Sequence, residues 1–256
     1  MSKTILRIGL ILGVASLSFA GSIDSPIAHW AFDEVSGTIA SDSAGSYNGT
    51  VSGATWTAGK IGGALSFDGV NDYVNCGDID AVEFGSSNFT VAYWFNISSI
   101  GAKSNLVSKY NIYGRQWLSD LRQDGSFAFA TYSENNTYSG VGMVETTAPV
   151  CPVGQWIHCV TVRQGSQMYL YLDGSYYASG NCYGTLTGYS TPVTVGALLN
   201  YGSPYNCFTG LIDDVRIYNY ALSANEVAEL YTIPEPTTIG LFGLAGLLSR
   251  IKRIFQ

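Results

Sequence analysis

Three acids stand out by type and setting: Asp33 and Glu34 in Asp33-Glu34-Val35-Ser36-Gly37, and Asp213 in Gly210-Leu211-Ile212-Asp213-Asp214. Carboxylates with glycyl carbonyls nearby are the hard oxygen donors that Ca²⁺ prefers, so these positions would suit a structural cation if the fold joined them. The plainer use of such acids is to cap turns or to pair with Lys60 and Arg216. Asp68-Gly69-Val70-Asn71-Asp72 invites a second metal reading, but Asp and Asn at these spacings are what a tight turn needs, and the turn is preferred.

Catalytic chemistry has less to work with. His29 and His158 are the only histidines, no Ser or Cys with a supporting Asp forms a recognisable triad around either, and Gly-x-Ser-x-Gly is absent. Each reads as a satisfied strand histidine. No strand carries acids at the two-residue spacing that lets a glycosidase divide nucleophile and acid roles on one face, so a glycoside hydrolase is disfavoured and a non-catalytic protein is expected. Binding is better served. Rings that stack on apolar sugar faces, with amides that take hydroxyls, occur in two loops: Tyr132, Asn135, Asn136 and Tyr138 in one, Tyr201, Tyr205 and Asn206 in the other.

The five cysteines, Cys76, Cys151, Cys159, Cys182 and Cys207, form no Cys-x-x-Cys pair and have no histidine cluster beside them, which disfavours zinc. In an exported chain one or two disulfides are expected. Cys182–Cys207 is the preferred pair because it brackets a Gly/Tyr-rich stretch, with connectivity open. An odd count leaves a free thiol, and Cys159 reads as a small core residue.

The elements that must position these residues are strands. Charged residues make up only 12% of the 256 positions, while Gly (30) and Tyr (18) are abundant, a mix that suits aromatic strands joined by Gly turns. Strands are expected at 27–32, 64–67, 73–75, 89–97, 105–109, 116–123, 126–132, 156–163, 167–172, 175–179, 193–197 and 209–218. In Phe89-Thr90-Val91-Ala92-Tyr93-Trp94-Phe95 the odd positions should face the core. Asp173-Gly174 is a two-residue hairpin signal. Ser223-Ala224-Asn225-Glu226 is a capping box that should start a short helix over 225–231.

The two ends differ from this body. Lys3 and Arg7 precede the apolar run 8–15, and Ser18-Phe19-Ala20 offers small residues for cleavage after Ala20, so residues 1–20 read as a signal peptide. Residues 233–256 combine Pro234-Glu235-Pro236, a short Gly/Leu-rich apolar run and Arg250, Lys252 and Arg253. That run is shorter than the ~20 residues that span a bilayer comfortably, and its basic end should stay cytoplasmic. Between the ends, residues 21–232 are expected to form one domain. That body keeps 7 basic against 18 acidic residues, a net charge of −11, which repels phosphate backbones and anionic lipid. Nucleic acid is excluded as a partner on this ground.

Two family resemblances follow from these residues. The tail resembles the PEP-CTERM sorting segment of Gram-negative bacteria. That implies processing by an exosortase-type protease, transient anchoring in the inner membrane through the tail alone, and delivery to the cell surface or extracellular matrix. The body resembles the laminin-G-like, concanavalin A-like jelly-roll family. The fragments that carry this run in order: His29-Trp30-Ala31-Phe32-Asp33-Glu34, Gly62-Gly63-Ala64-Leu65-Ser66-Phe67-Asp68-Gly69, Trp156-Ile157-His158, Leu170-Tyr171-Leu172-Asp173-Gly174 and Leu211-Ile212-Asp213-Asp214-Val215. The resemblance implies an all-β, two-sheet antiparallel sandwich with its first and last strands adjacent. It also implies a structural Ca²⁺ where those strands meet, held by Asp33 and Asp213 with the backbone of Gly63 contributing. The expected function is binding of an extracellular polysaccharide, or alternatively of a surface protein without a dedicated glycan pocket.

Overall fold

Short runs of alternating and apolar residues build eighteen strands and one α-helix in the computed structural model, which describes residues 23–111, 114–133, 141–147, 151–186 and 190–232. In chain order the first six are β1 (Ala28–Trp30), β2 (Ile39–Ala40), β3 (Gly49–Ser52), β4 (Thr55–Ala58), β5 (Gly63–Asp68) and β6 (Tyr73–Asn75). Next come β7 (Phe89–Ile97), β8 (Ser104–Tyr110), β9 (Arg115–Leu121), β10 (Phe127–Tyr132), β11 (Val141–Glu145) and β12 (Trp156–Gln164). The last six are β13 (Gln167–Leu172), β14 (Ser175–Asn181), β15 (Val193–Val195), β16 (Leu198–Asn200), β17 (Ser203–Tyr205) and β18 (Thr209–Tyr218), followed by α1 (Ala224–Tyr231). Residues 1–20, expected to be a signal peptide, residues 233–256, expected to be a sorting tail, and the loop residues Asn135, Asn136 and Tyr138 lie outside the described residues.

Two eight-stranded antiparallel sheets face each other. The first runs β14-β13-β12-β7-β18-β5-β4, with β1 also on β18; the second runs β11-β10-β9-β8-β15-β6-β3-β2. The expected two-sheet sandwich is therefore observed, with first and last strands adjacent through Ala28↔Ile217 and Trp30↔Val215. The long strand β18 takes β5 along Thr209–Ile212 and β1 along Val215–Ile217 on the same edge, so a gap opens between them opposite Asp213 and Asp214.

The core follows from alternation. Phe89, Val91, Tyr93, Phe95 and Ile97 of β7 point inward. There Phe89 lies 6.2 Å from Phe129 and Phe95 lies 6.3 Å from Phe127, which ties the two sheets together through ring contacts. The even positions are covered too: Ala92 packs with Val227 and Leu230 of α1, and Trp94 stacks on Tyr231 at 5.5 Å. The helix starts as its capping box dictates, with Ser223 N–H donating to Glu226 Oε2 at 2.7 Å and Glu226 N–H donating to Ser223 Oγ. At Asp173-Gly174 both φ values are positive, +48° and +73°, the type I′ hairpin that the pair foretold. Along one side the sheet edges nearly touch. A Cβ at Gly180 would lie 1.9 Å from the Met143 carbonyl oxygen, so only glycine lets β14 approach β11.

One expectation fails here. Cys182 and Cys207 do not pair, and all five cysteines are free thiols. Cys182 Sγ is buried 3.3 Å from Thr131 Oγ1 on the inner side of β10, whereas Cys207 Sγ donates to the Val70 carbonyl beside β5. The stretch they bracket spans the sheets instead of closing a loop.

Candidate functional site

The geometry at the first strand's end is set by a bulge. Asp213 of β18 pairs with Trp94 and Arg216 with Ala92, so the residues between them have one partner too few, and Asp214 takes φ +52°. The bulge sends the two adjacent carboxylates to different places.

Asp213, fully buried, accepts the amide protons of Lys60 and Ile61 on Oδ2, both at 2.8 Å. Its Oδ1 is shielded from solvent and has no partner. Burial is the main cause that pushes the carboxyl up to about 7, and the neighbouring Asp214 and Asp33 carboxylates add to it. Asp33 follows Phe32, whose φ of +55° turns the chain out of β1, and its Oδ1 accepts the Gly63 amide proton at 2.7 Å. Gly62, at φ +67°, permits this approach, since a Cβ there would lie 2.2 Å from Asp33 Oδ1. The fold thus gathers Asp33, Gly63 and Asp213 around the 59–63 turn. Gly63 takes part through its N–H, donated to Asp33.

These residues fit a hard cation in part. A buried carboxylate with an orphaned oxygen and a second carboxylate close enough to repel it is the donor chemistry Ca²⁺ uses. Among the described residues no group of three or more His, Cys, Asp or Glu side chains converges, so backbone carbonyls and water would complete the six to eight oxygens.

Asp214 turns the other way, to His29 Nε2 at 2.7 Å and Arg216 Nη2 at 2.9 Å, and His29 Nδ1 meets Ser43 Oγ at 2.8 Å. With Asp214 accepting the Nε2 proton, Nδ1 is left to accept from Ser43, so a Ser–His–Asp chain forms that spacing did not reveal. Ser43 also donates its N–H to the His29 carbonyl, which is the longer, alternative acceptor for its one Oγ proton, and Ala44 N–H is taken by Asp42. The neighbouring amides that an acyl-transfer site would aim at an oxyanion are therefore engaged, and the chain of contacts pins β1 to β18. His29 is the satisfied strand histidine expected; His158 is not. It is buried with Nδ1 unpartnered, and burial lowers its pKa to about 3. Asp68 and Asp72 form the expected turn, through Val70 N–H to Asp68 Oδ1 and Asp68 N–H to Asp72 Oδ2.

Beside Asp33 lies a cleft of about 480 Å³, which no sequence signal announced, lined by Asp33, Glu34, Val35, Trp56, Thr57 and the Gly62–Gly63 backbone. Trp56 sits on β4, the edge strand of the first sheet, half-buried against the core, with its indole N–H on the Gly37 carbonyl at 2.9 Å. Glu34 Oε1 accepts Ser41 N–H at 2.7 Å, while Oε2 is shielded and unpartnered. Of the tyrosines expected to bind ligand, the described ones lie on two separate elements, β10 and the β16–β17 hairpin. Tyr132 ends β10 and packs on Tyr110 at 5.2 Å. Tyr201 and Tyr205 stand 80% and 55% exposed on the β16–β17 hairpin, and the Asn206 carbonyl accepts from Asn105 N–H.

Paired antiparallel sheets closed by adjacent terminal strands define a lectin-type jelly roll. A family model described as Laminin_G_3, concanavalin A-like lectin/glucanases superfamily, matches residues 68–228, and the chain belongs to this superfamily. Among solved structures, domain 4 of AbnA, a GH43 extracellular arabinanase from Geobacillus stearothermophilus, in complex with arabinotriose, is similar with a TM-score of 0.61 and 22% identity. That match covers 81% of this chain and 98% of that one. The binding domain of botulinum neurotoxin serotype D is similar with a TM-score of 0.63 and 14% identity, covering 81% of this chain and 51% of that one. The adhesion G-protein coupled receptor V1 of Danio rerio is 26% identical over 162 residues, 60% of this chain but only 2% of the receptor. The chain thus spans about half of the toxin binding domain and a small fraction of the receptor. Among the described residues no helix is long and apolar enough to cross a membrane.

Proposed function

We propose that this protein is an exported, non-catalytic glycan-binding module of the bacterial surface or extracellular matrix, with polysaccharide as its partner. The observation that carries the reading is the cleft with Trp56 on one wall and Glu34 beside it, since an aromatic recess with few polar groups is what a sugar site requires and what a flat adhesive face lacks. The arabinanase domain, which shares the sandwich over nearly its whole length and was solved with arabinotriose, supports the same reading. So does the naming of the similar toxin structures as binding domains. Tyr132, Tyr201, Tyr205 and Asn206 remain candidates for a second contact surface, with Asn135, Asn136 and Tyr138.

A structural Ca²⁺ at Asp33 and Asp213 would neutralise the buried carboxylate and fix the 59–63 turn that forms one wall of the cleft. The signal segment 1–20 would direct export. The tail 233–256 would be the substrate of an exosortase-type enzyme and the protein's sole, transient membrane contact. A glycan array probed with the purified full chain tests the binding reading: retention of at least one oligosaccharide supports it, and none retained overturns it.

The second reading is adhesion to a surface protein. It is favoured by the relation to the adhesion receptor and by the exposed rings of the β16–β17 hairpin.

A further inference from the structure

We infer that the cleft beside Trp56 selects uncharged, hydroxyl-rich sugars and rejects acidic polysaccharides, an inference that rests on the glycan-binding reading above. Three features of the cleft lead there. Its indole is held by the hydrogen bond to Gly37, so the ring is fixed before a ligand arrives and its exposed part can meet the apolar face of a pyranose or furanose. Glu34 is likewise fixed by Ser41 on Oε1, and with its second oxygen shielded it acts on the cleft as a fixed negative charge. The Asp33 carboxylate, exposed at the cleft with Oδ1 on the Gly63 N–H, only accepts hydrogen bonds, so it calls for a donor, and a sugar hydroxyl supplies one.

Charge then separates sugar classes. Asp33 and Glu34 both line the cleft, and among the described residues no basic one does. The basic residue nearest in sequence, Lys60, is turned away, with its ammonium 5.1 Å from the Trp94 ring centre. A Ca²⁺ at Asp33 would be offset by the Asp33 and Asp213 carboxylates themselves, so a uronate would still meet the Glu34 charge and no basic side chain of the lining. Val35, 91% exposed at the rim, adds an apolar contact that suits a sugar edge and gains nothing from an acidic group.

Affinity electrophoresis of the full chain through neutral arabinan, xylan or β-glucan, and through polygalacturonate, tests this, with oligolysine as a competitor. At least one neutral polymer should retard the protein and polygalacturonate should not. Trp56→Ala should weaken the neutral interaction by about tenfold or more, and Trp56→Phe by less. Asp33→Asn should weaken it several-fold. Val35→Asp, at a side chain too exposed to affect folding, should also weaken it, which keeps the test decisive if Trp56→Ala fails to fold. Neutral binding unchanged in Trp56→Phe, Asp33→Asn and Val35→Asp would overturn the cleft assignment while leaving glycan binding intact. Tighter retention by polygalacturonate would do the same. Retardation of the folded protein by none of the polymers, with a mobility shift only on adding oligolysine, would point to basic peptides and overturn both.

Discussion

Asp214 Oδ1 holds His29 Nε2 at 2.7 Å across 185 positions of sequence, and through that contact the last strand fixes the first. The carboxylate is 5% exposed and also bonds Arg216, so removing the imidazole leaves a buried acid short of one partner. His29→Ala is expected to lower stability by about 1–3 kcal/mol, read from chemical denaturation. Because the amides around Ser43 are already engaged, a fluorophosphonate probe should not label Ser43. Labelling lost in Ser43→Ala would reverse that view.

His158 makes a pH-dependent contribution. Its folded pKa is lowered to about 3 by burial, against 6.5 for the free side chain, with Asp214 and Arg216 acting on it in opposite directions. Between those values the unfolded chain holds a proton that the folded protein does not, so stability is full above pH 6.5 and falls as the pH drops. The expected slope is about 1.4 kcal/mol per pH unit from this one group. His158→Gln should flatten that part of the curve; an unchanged slope would assign the acid sensitivity elsewhere.

The free thiols give a direct count. Denatured without reductant, the described body should titrate five thiols, since Cys182 and Cys207 sit with separate partners. Three would restore the disulfide.

Gly180 tests how the sheets close. A valine there meets the Met143 carbonyl oxygen and backbone of β11, which cannot swing away as a side chain would. Gly180→Val is expected to cost about 2–3 kcal/mol by denaturant unfolding, and a neutral result would mean the edges have room to part.

The cation proposal makes an equally plain demand. Added Ca²⁺ should raise the melting temperature and a chelator lower it, and Asp213→Asn should abolish the difference. A midpoint indifferent to both in the wild type would remove the ion from the account.

Much of the fold could be read from spacing because β7, β13 and β18 carry long alternating runs, and the expected bounds 89–97, 167–172 and 209–218 coincide with the observed strands. The strands that escaped, β2, β3, β4, β11, β16 and β17, are two to five residues long and mostly exposed on one side, too short for a period of two to show. The site was legible only where a motif named it. Asp33 and Asp213 were reached through the family resemblance, but Trp56 lies in Ala54-Thr55-Trp56-Thr57-Ala58, an alternation between two glycines too short to stand out as a strand. Its value comes from the turn of Glu34 and Gly37 over the sheet edge. The bulge at Asp214 is equally silent in sequence, since the residue there is not a glycine. Lys109 was unforeseen as well: a lysine within β8, wholly buried, reaching Asp78 and the Thr191 carbonyl.

The processing scheme stands or falls on one mass. The protein recovered from outside the cells should begin at Gly21 and lack most of residues 233–256; an intact 256-residue chain in the cytoplasm would contradict export.

The most direct test of the central claim is equilibrium binding of the purified full chain to a panel of neutral and acidic oligosaccharides, followed by tryptophan fluorescence and calorimetry. The account expects saturable binding of a neutral glycan that is weakened about tenfold or more by Trp56→Ala. Absence of binding across the panel, by a protein whose melting curve shows it folded, would contradict it.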